Sequence, residues 1–369
     1  MKNLFISNMN EKNVDEFTSD YGLYLRRTLN KPFIKMCNLF TNAHIIKNDN
    51  IINKTDEEYF KSLNTNYIPL DNYNIINGKN NIVIERYPEL KVGEPYIFVC
   101  NHTCPEDIET VLNIIDRNTY LVLGSVESLK SNPDMYLSWL NGMIPFDVLS
   151  QKERTELTPK MKRVLKTNSI LIFPEGSHNY NPNKLINNLY DGPINLSLET
   201  GRKIVNITMV KDFDNNISFI DVSNPFDVKN LKTELDKNEL LSEKEKIKSI
   251  TSIMRDRMAT AVYYIMMRHF EELKRNDYEN IEENIRLNSI IYAFKKLKWE
   301  KDVFDAEYLV KKTTEDKKYE DIIEDMTDIE LLKQAKMNFR EYVLQSNNLE
   351  NKDTAKRMRK HFNETKNKH

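Results

Sequence analysis

The sequence predicts an α/β protein in which helices flank a mostly parallel sheet, with an added helical region at the C-terminus. Three observations support this fold class. Short apolar or β-branched runs alternate with helical patterns between residues 76 and 230. Glycine and proline punctuate that part of the chain, and neither occurs after Pro225. Because helices exclude proline, and turns of compact domains favour both residue types, the later part is predicted to be helical.

Five runs in the central region have the composition of buried strands, namely 82–84, 96–99, 120–123, 169–173 and 204–207. The helical patterns between them cover 105–116, 128–140, 159–166 and 193–200. Pro105 and Pro159 suit the first position of a helix. Ligands bind at the carboxyl ends of strands in a parallel sheet, so the residues that follow 96–99 and 169–173 are expected to share one site.

We divide the chain into a helical N-terminal appendage (1–75), an α/β core (76–230) and a helical C-terminal region (231–369). The appendage contains helical patterns at 14–29 and 33–40 among asparagine-rich turns. Ser242 and Glu245 form a plausible capping box that begins a long helix reaching about residue 275. We interpret the C-terminal helices as packed against the core, with a membrane-facing or acyl-binding surface around 263–267 as the alternative.

Composition excludes several classes of function. The net charge of −2 gives no strong attraction to nucleic acid, and three cysteines in 369 residues argue for a reducing compartment. The N-terminus lacks the apolar run of a signal peptide, and no stretch approaches the roughly 18 apolar residues of a membrane span. The sequence therefore predicts a cytoplasmic protein, one that would meet a membrane from the side, at its inner face, if its substrate is a lipid.

Two short motifs carry the chemistry. Asn101, His102 and Asp107 follow the strand predicted at 96–99, and a Phe-Pro-Glu-Gly-Ser run at 173–177 follows the strand predicted at 169–173. One turn of chain separates the histidine from the aspartate, so the carboxylate can accept from one ring nitrogen while the other stays basic. Together with a turn that can bind an anion, these groups are the parts of an acyl-transfer site.

Other interpretations of the same residues remain open at this point. A single histidine often only caps a buried strand, and Pro-Glu-Gly is a good turn by itself. Cys100, His102, Cys104 and Asp107 could bind a metal, although their spacing is not that of the common zinc motifs. Cys104 could be a nucleophile beside His102.

The two motifs, in this order and strand context, resemble the glycerolipid acyltransferases of the lysophosphatidic acid acyltransferase type. Residues 142–147 resemble a further block of that family, and the resemblance covers about residues 80 to 225. It implies that His102 is the general base and Asp107 its partner, with no metal and no cofactor. It also implies an acyl-CoA or acyl carrier protein donor, and a lipid acceptor at a membrane surface. The substrate-binding residues that it implies are Asn101, Gly142, Asp147, Pro174, Glu175, Gly176, Ser177 and His178.

The sequence departs from the family at two positions. Val148 and His178 stand where the family usually has arginines that are associated with holding the phosphate of the acceptor. Valine cannot form the charged, bidentate hydrogen bonds of arginine, and histidine forms them only weakly. Either Lys152, Arg154 or Lys184 supplies the charge, or the acceptor lacks a glycerol phosphate.

These observations predict an O-acyltransferase and leave two alternatives. One is a non-catalytic lipid- or acyl-binding protein on the same fold, for which the missing arginines would be the signature. The other is a thioesterase, in which the same base would act on water.

Overall fold

The computed structural model describes residues 42–47, 68–104, 106–115, 117–124, 142–146, 151–176, 178–179, 186–212, 215–237 and 239–269. These residues form one eight-stranded sheet in the order β1-β2-β8-β7-β3-β6-β4-β5. The strands are β1 (Ala43–Lys47), β2 (Asn80–Arg86), β3 (Ile97–Cys100), β4 (Thr119–Leu123), β5 (Met143–Pro145), β6 (Ser169–Ile172), β7 (Ile204–Asp212) and β8 (Ile217–Val222).

The sheet consists of two parallel blocks that meet at one antiparallel pair. Strands β7, β3, β6, β4 and β5 run in one direction. Strands β1, β2 and β8 are parallel to one another, and β8 pairs antiparallel with β7. The predicted mostly parallel sheet is therefore confirmed. Strands β3 and β6 are direct neighbours, so the two motif loops leave the sheet side by side at its carboxyl edge.

Helices cover both faces of the sheet, and each buries its apolar side there. They are α1 (Asp107–Ile114), α2 (Gln151–Val164), α3 (Gly192–Thr200), α4 (Val228–Asp236) and α5 (Glu243–His269). Val111 of α1 packs with Phe98 and Leu171 on one face. On the other face, Met254 of α5 and Ile194 of α3 belong to the cluster that contains Val99 and Phe219. Burial of this kind contributes about 1.5–3 kcal/mol for each large apolar side chain.

Sequence patterns missed three strands. β1 lies within the part interpreted as a helical appendage, where Ile45 and Ile46 are β-branched residues beside β2. β8 forms a hairpin with β7, and its turn places Asn216 at a positive φ of 53°. β5 occupies part of the block resembled at 142–147. The helical patterns at 14–29, 33–40 and 128–140 lie outside the described residues.

The two proline assignments were wrong. Pro159 lies inside α2, which begins at Gln151, because the charged stretch before the proline is itself helical. Helix α1 begins at Asp107 with Glu106 as its N-cap, so Pro105 is not its first residue. The helical pattern at 193–200 is confirmed by α3, which begins at Gly192 and has Pro193 in its first turn.

The long helix α5 begins where the capping box predicted. The Ser242 amide and hydroxyl both donate to Glu245 Oε2, at 2.8 and 2.6 Å. Ile250, Met254 and Met258 are fully buried against the sheet, which confirms packing against the core for this helix. The rest of the predicted helical C-terminal region, residues 270–369, lies outside the described residues. None of the described helices is both long and apolar enough to cross a membrane.

Candidate active site

His102 and Asp107 contact each other directly at the carboxyl end of β3. His102 Nδ1 lies 2.7 Å from Asp107 Oδ2. The Asp107 side chain is completely buried, whereas 16% of the His102 side chain is exposed. The sequence pattern thus brings together a shielded carboxylate and a histidine that solvent and substrate can reach.

Local structure orients the Asp107 carboxylate. Asp107 is the first residue of α1, where the helix dipole favours a negative charge. Its Oδ2 also accepts from the Thr103 amide at 2.9 Å and the Cys104 amide at 3.4 Å. Since a carboxylate accepts, the His102 proton is assigned to Nδ1, which leaves Nε2 with the lone pair that a base needs.

Asn101 joins the loop to β7. Its Nδ2 donates to the Met209 carbonyl at 2.9 Å, and its Oδ1 accepts from the Met209 amide at 2.8 Å. The side chain is buried and both ends of the amide are occupied. These two hydrogen bonds tie Asn101, the residue that directly precedes His102, to the backbone of β7.

Glu175 connects the two motifs. Its Oε1 accepts from the His102 amide at 2.9 Å, and its Oε2 accepts from the Asn187 amide at 2.7 Å. The residue is only 6% exposed. A second link, from the Asn179 amide to the His102 carbonyl at 2.8 Å, holds the same residue from its other side. The backbone of His102 is therefore fixed by the loop that follows β6.

The turn after β6 is compact and covered by a tyrosine. The Gly176 amide donates to the Phe173 carbonyl at 3.1 Å, and Gly176 adopts a positive φ of 74°. The Tyr190 amide donates to the Pro174 carbonyl at 2.8 Å. The positive φ favours glycine at this position, and a Cβ placed on Gly176 would lie 2.6 Å from Tyr190 Cε2 and displace that ring.

Two rings pack against the imidazole of His102. The centroid of the Phe173 ring lies 4.6 Å away, and that of His178 lies 3.7 Å away with an interplanar angle of 30°. Burial and the neighbouring His102 lower the pKa of His178 to about 3, against the opposing effect of Asp107. His178 is consequently neutral at physiological pH and carries no charge where the family usually has arginine.

The cysteine alternative does not fit this geometry. Cys100 and Cys104 are both fully buried. Burial, followed by the charge of Asp107, raises the pKa of both thiols well above the usual range. A protonated thiol inside the core is a poor nucleophile.

A different set of side chains is close enough to hold a metal. His102, Asp107 and His178 each offer a ligand atom, and these atoms lie within 4.8 Å of one another. The hydrogen bond between His102 and Asp107 already accounts for two members of this set. This set differs from the metal site considered from the sequence, which contains Cys100 and Cys104 and lacks His178.

Of the remaining predicted site residues, the structure describes Gly142, which does not lie in either motif loop. Gly142 precedes β5, at the amino end of that strand, with a φ of 120°, and a Cβ placed on it would lie 3.2 Å from Tyr120 Cδ2. Ser177, Asp147 and Val148 lie outside the described residues. Sequence reasoning missed the amides of Asn179 and Asn187, because a backbone donor leaves no signal in residue type.

Comparisons with known proteins agree with the motifs. Residues 78–210 match the family model described as Acyltransferase. One similar solved structure is the 1-acyl-sn-glycerophosphate (LPA) acyltransferase PlsC from Thermotoga maritima, at 14% identity and a TM-score of 0.36, covering 72% of this chain and 88% of that one. No curated protein matches the sequence. The family match encloses both motifs, so residues 78–210 carry the similarity of this chain to acyltransferases.

Proposed function

We propose that this chain moves a fatty acyl group from a thioester donor, acyl-CoA or acyl carrier protein, to a hydroxyl of a glycerolipid or lysophospholipid. In this proposal His102 is the general base and Asp107 orients it. The observation that carries the proposal is the 2.7 Å contact between these side chains at the end of β3, with the carboxylate buried and the imidazole accessible. The acyltransferase match of the surrounding residues supplies the reaction class.

The reaction needs one base and no covalent enzyme intermediate. His102 Nε2 takes the proton of the acceptor hydroxyl as its oxygen attacks the thioester carbonyl, giving a tetrahedral oxyanion. Asp107 stabilises the imidazolium that forms. Collapse of the intermediate breaks the carbon–sulfur bond, the thiolate takes the proton back from His102, and an ester and a free thiol leave. No metal or cofactor takes part in these steps.

The motif residues divide into two groups in this proposal. Asn101 and Glu175 are buried and bonded to backbone groups, so they hold the base in place and do not meet the substrate directly. Gly176, Ser177 and His178 belong to the loop on the acceptor side. General-base catalysis of this kind typically contributes about 10²–10⁴-fold, and it depends on correct geometry.

The positive charge for a phosphate head group on the acceptor has to come from residues other than His178. Neutral His178 offers no permanent charge to a phosphate. Lys152 and Arg154 are exposed in the first turn of α2, which follows the carboxyl end of β5 on the same edge of the sheet. We infer that these two residues supply the positive charge if the acceptor carries a phosphate, and that the protein meets its acceptor at a membrane surface.

The test is thiol release from a long-chain acyl-CoA by the wild type and His102→Ala. The acceptor panel contains glycerol 3-phosphate, lysophosphatidate, a neutral monoacylglycerol and water alone. Release that depends on one acceptor, yields the matching ester and disappears in the variant is the expected result.

Other outcomes would contradict the proposal in different ways. Release without any acceptor would indicate a thioesterase. Absence of release with every acceptor, repeated with an acyl carrier protein donor, would indicate a binding protein on an acyltransferase fold.

A further inference from the structure

Helix α5 lies beyond the residues matched by the family model, yet it contacts the segment that holds the catalytic loop. Arg255 of α5 donates through Nη1 to Asn188 Oδ1. One helical turn earlier, Thr251 Oγ1 lies 2.8 Å from Asp191 Oδ1. Arg255 and Thr251 are 5% and 7% exposed, so the helix side of both contacts is buried, while Asn188 itself is exposed.

The contacted segment, residues 186–191, is hydrogen-bonded to the turn after β6. The Asn187 amide donates to Glu175 Oε2 at 2.7 Å. The Tyr190 amide donates to the Pro174 carbonyl, and the Tyr190 ring lies over Gly176. A shift of this segment would therefore move the carboxylate of Glu175.

A displaced Glu175 carboxylate would in turn displace the backbone of His102. Its second oxygen holds the His102 amide at 2.9 Å, and the residue is buried, so water cannot easily replace a lost partner. The distance from His102 Nε2 to a reacting hydroxyl depends on the backbone of His102. Misplacement by about 1 Å can cost roughly 100-fold in rate.

The helix itself is a rigid support. Met254 and Met258 are fully buried against the sheet, and they flank Arg255 in sequence. Since Thr251 and Arg255 are one turn apart, they present two polar anchors on one side of a helix whose apolar side is fixed.

We propose that Arg255, with Thr251, is a positioning residue for the acyltransferase site, acting through Asn188, segment 186–191 and Glu175 on His102. The inference rests on the proposed function for its kinetic consequence. Its structural consequence, a displaced His102, is independent of the reaction. Helix α5, which lies outside the residues matched by the family model, thereby helps to position the base.

The kinetic test compares Arg255→Met with Arg257→Met. Arg257 is on the same helix, but its guanidinium lies over the ring of Phe226, 5.2 Å from the ring centroid. Arg255→Met is expected to lower kcat roughly 3- to 30-fold, the range of couplings carried through packed networks, with KM little changed. Arg257→Met should leave kcat as in the wild type. Equal kcat in the two variants would overturn the proposal.

Two further variants place the effect on the proposed route. Asn188→Ala should reproduce the loss of kcat, and it keeps the test available if Arg255→Met does not fold. In a Glu175→Gln background, Arg255→Met should have little additional effect, because the route is already broken. Losses that simply multiply would show that Arg255 acts elsewhere.

A spectroscopic readout separates this inference from the proposed function. In protein labelled with ¹⁵N at histidine, the His102 ring resonances are assigned by their absence in His102→Gln. They should shift in Arg255→Met and stay in place in Arg257→Met, whether or not the protein transfers acyl groups. Unchanged His102 resonances in Arg255→Met would contradict the inference even if the acyltransferase activity is confirmed.

Discussion

Two histidine–carboxylate contacts of similar length occur in the described part of the chain. His102 Nδ1 lies 2.7 Å from Asp107 Oδ2, and His269 Nε2 lies 2.8 Å from Glu85 Oε1. In the first contact the histidine is partly exposed at a strand end. In the second contact neither side chain is exposed at all.

The buried pair is surrounded by structural partners. Arg268 also pairs with Glu85, and the Tyr73 hydroxyl donates to the same carboxylate at 3.2 Å. The His269 ring stacks on Phe219 with centroids 4.0 Å apart and an angle of 7°. Burial alone would raise the pKa of Glu85, but the hydrogen bond and charge of His269, with Arg268, lower it. This cluster joins β2 to the end of α5.

The difference shows that a short histidine–carboxylate contact does not by itself define a site. What separates the two pairs is access and surroundings. His102 stands at the carboxyl edge of two parallel strands, beside a turn, while His269 is closed in by aromatic rings. Substitutions in the His102–Asp107 pair should therefore lower acyl transfer, whereas substitutions in the Glu85–His269 pair should lower the free energy of unfolding.

The largest effect is expected for Asp107→Asn. The asparagine amide can donate to Nδ1 and so place the imidazole proton on Nε2, which removes the base. Acyl transfer should fall by roughly 10²–10⁴-fold while the protein remains folded. Steady-state transfer rates, normalised to the folded fraction from a denaturant titration, measure this. Transfer within a factor of a few of the wild type would contradict the proposed role of Asp107.

Glu85→Gln should have the opposite profile. Removing one partner of a buried ionic cluster leaves Arg268 uncompensated, and the free energy of unfolding should fall by about 3–5 kcal/mol. Activity per folded molecule should stay close to that of the wild type. Chemical unfolding and an activity assay on the same preparation test both halves. If activity were lost with no loss of stability, the buried pair would be the functional one.

Glu175→Gln should combine smaller losses of both kinds. The glutamine oxygen can still accept from one backbone amide, but its NH₂ group faces the other amide and cannot accept from it. The expected loss is about 1.5–3 kcal/mol of unfolding free energy, the range for a hydrogen bond to a charged group, with a reduced kcat. A variant with wild-type stability and kcat would show that this bridge does not position His102.

The effect that is smallest at neutral pH concerns His178, because it appears only on acidification. Its pKa is about 3 in the folded protein against an ordinary 6.5, so the unfolded chain binds a proton that the folded protein does not. Stability is therefore complete above pH 6.5 and falls as the pH drops from 6.5 towards 3, by at most about 1.4 kcal/mol per pH unit.

His178→Phe tests this pH dependence because it keeps an aromatic ring against His102. Unfolding free energies measured from pH 4 to pH 7 should fall less steeply in the variant than in the wild type. Parallel curves for the two proteins would show that His178 does not contribute.

Much of the parallel core followed from local patterns. The five predicted strands are present because runs rich in β-branched and aromatic residues, such as 96–99 and 204–207, are typical of strands buried on both faces. The shared edge for His102 and Glu175 followed from strand direction alone. β1, with side chains only partly buried, and β5, only three residues long, lack such runs.

The contacts that distinguish the two pairs were not predictable in this way. Glu85 and His269 are 184 positions apart, so no local sequence pattern links them. Their contact depends on where α5 ends relative to β2, which is set by the order of strands in the sheet. The role of Glu175 likewise depends on backbone amides that any residue could supply.

The most direct test of the account compares His102→Gln and Glu85→Gln side by side, each assayed for acceptor-dependent acyl transfer and for free energy of unfolding. We expect His102→Gln to retain the wild-type free energy of unfolding and to lose acyl transfer. We expect Glu85→Gln to have a lower free energy of unfolding and to retain acyl transfer per folded molecule. Acceptor-dependent transfer that survives in His102→Gln would contradict the central claim that this histidine is the base.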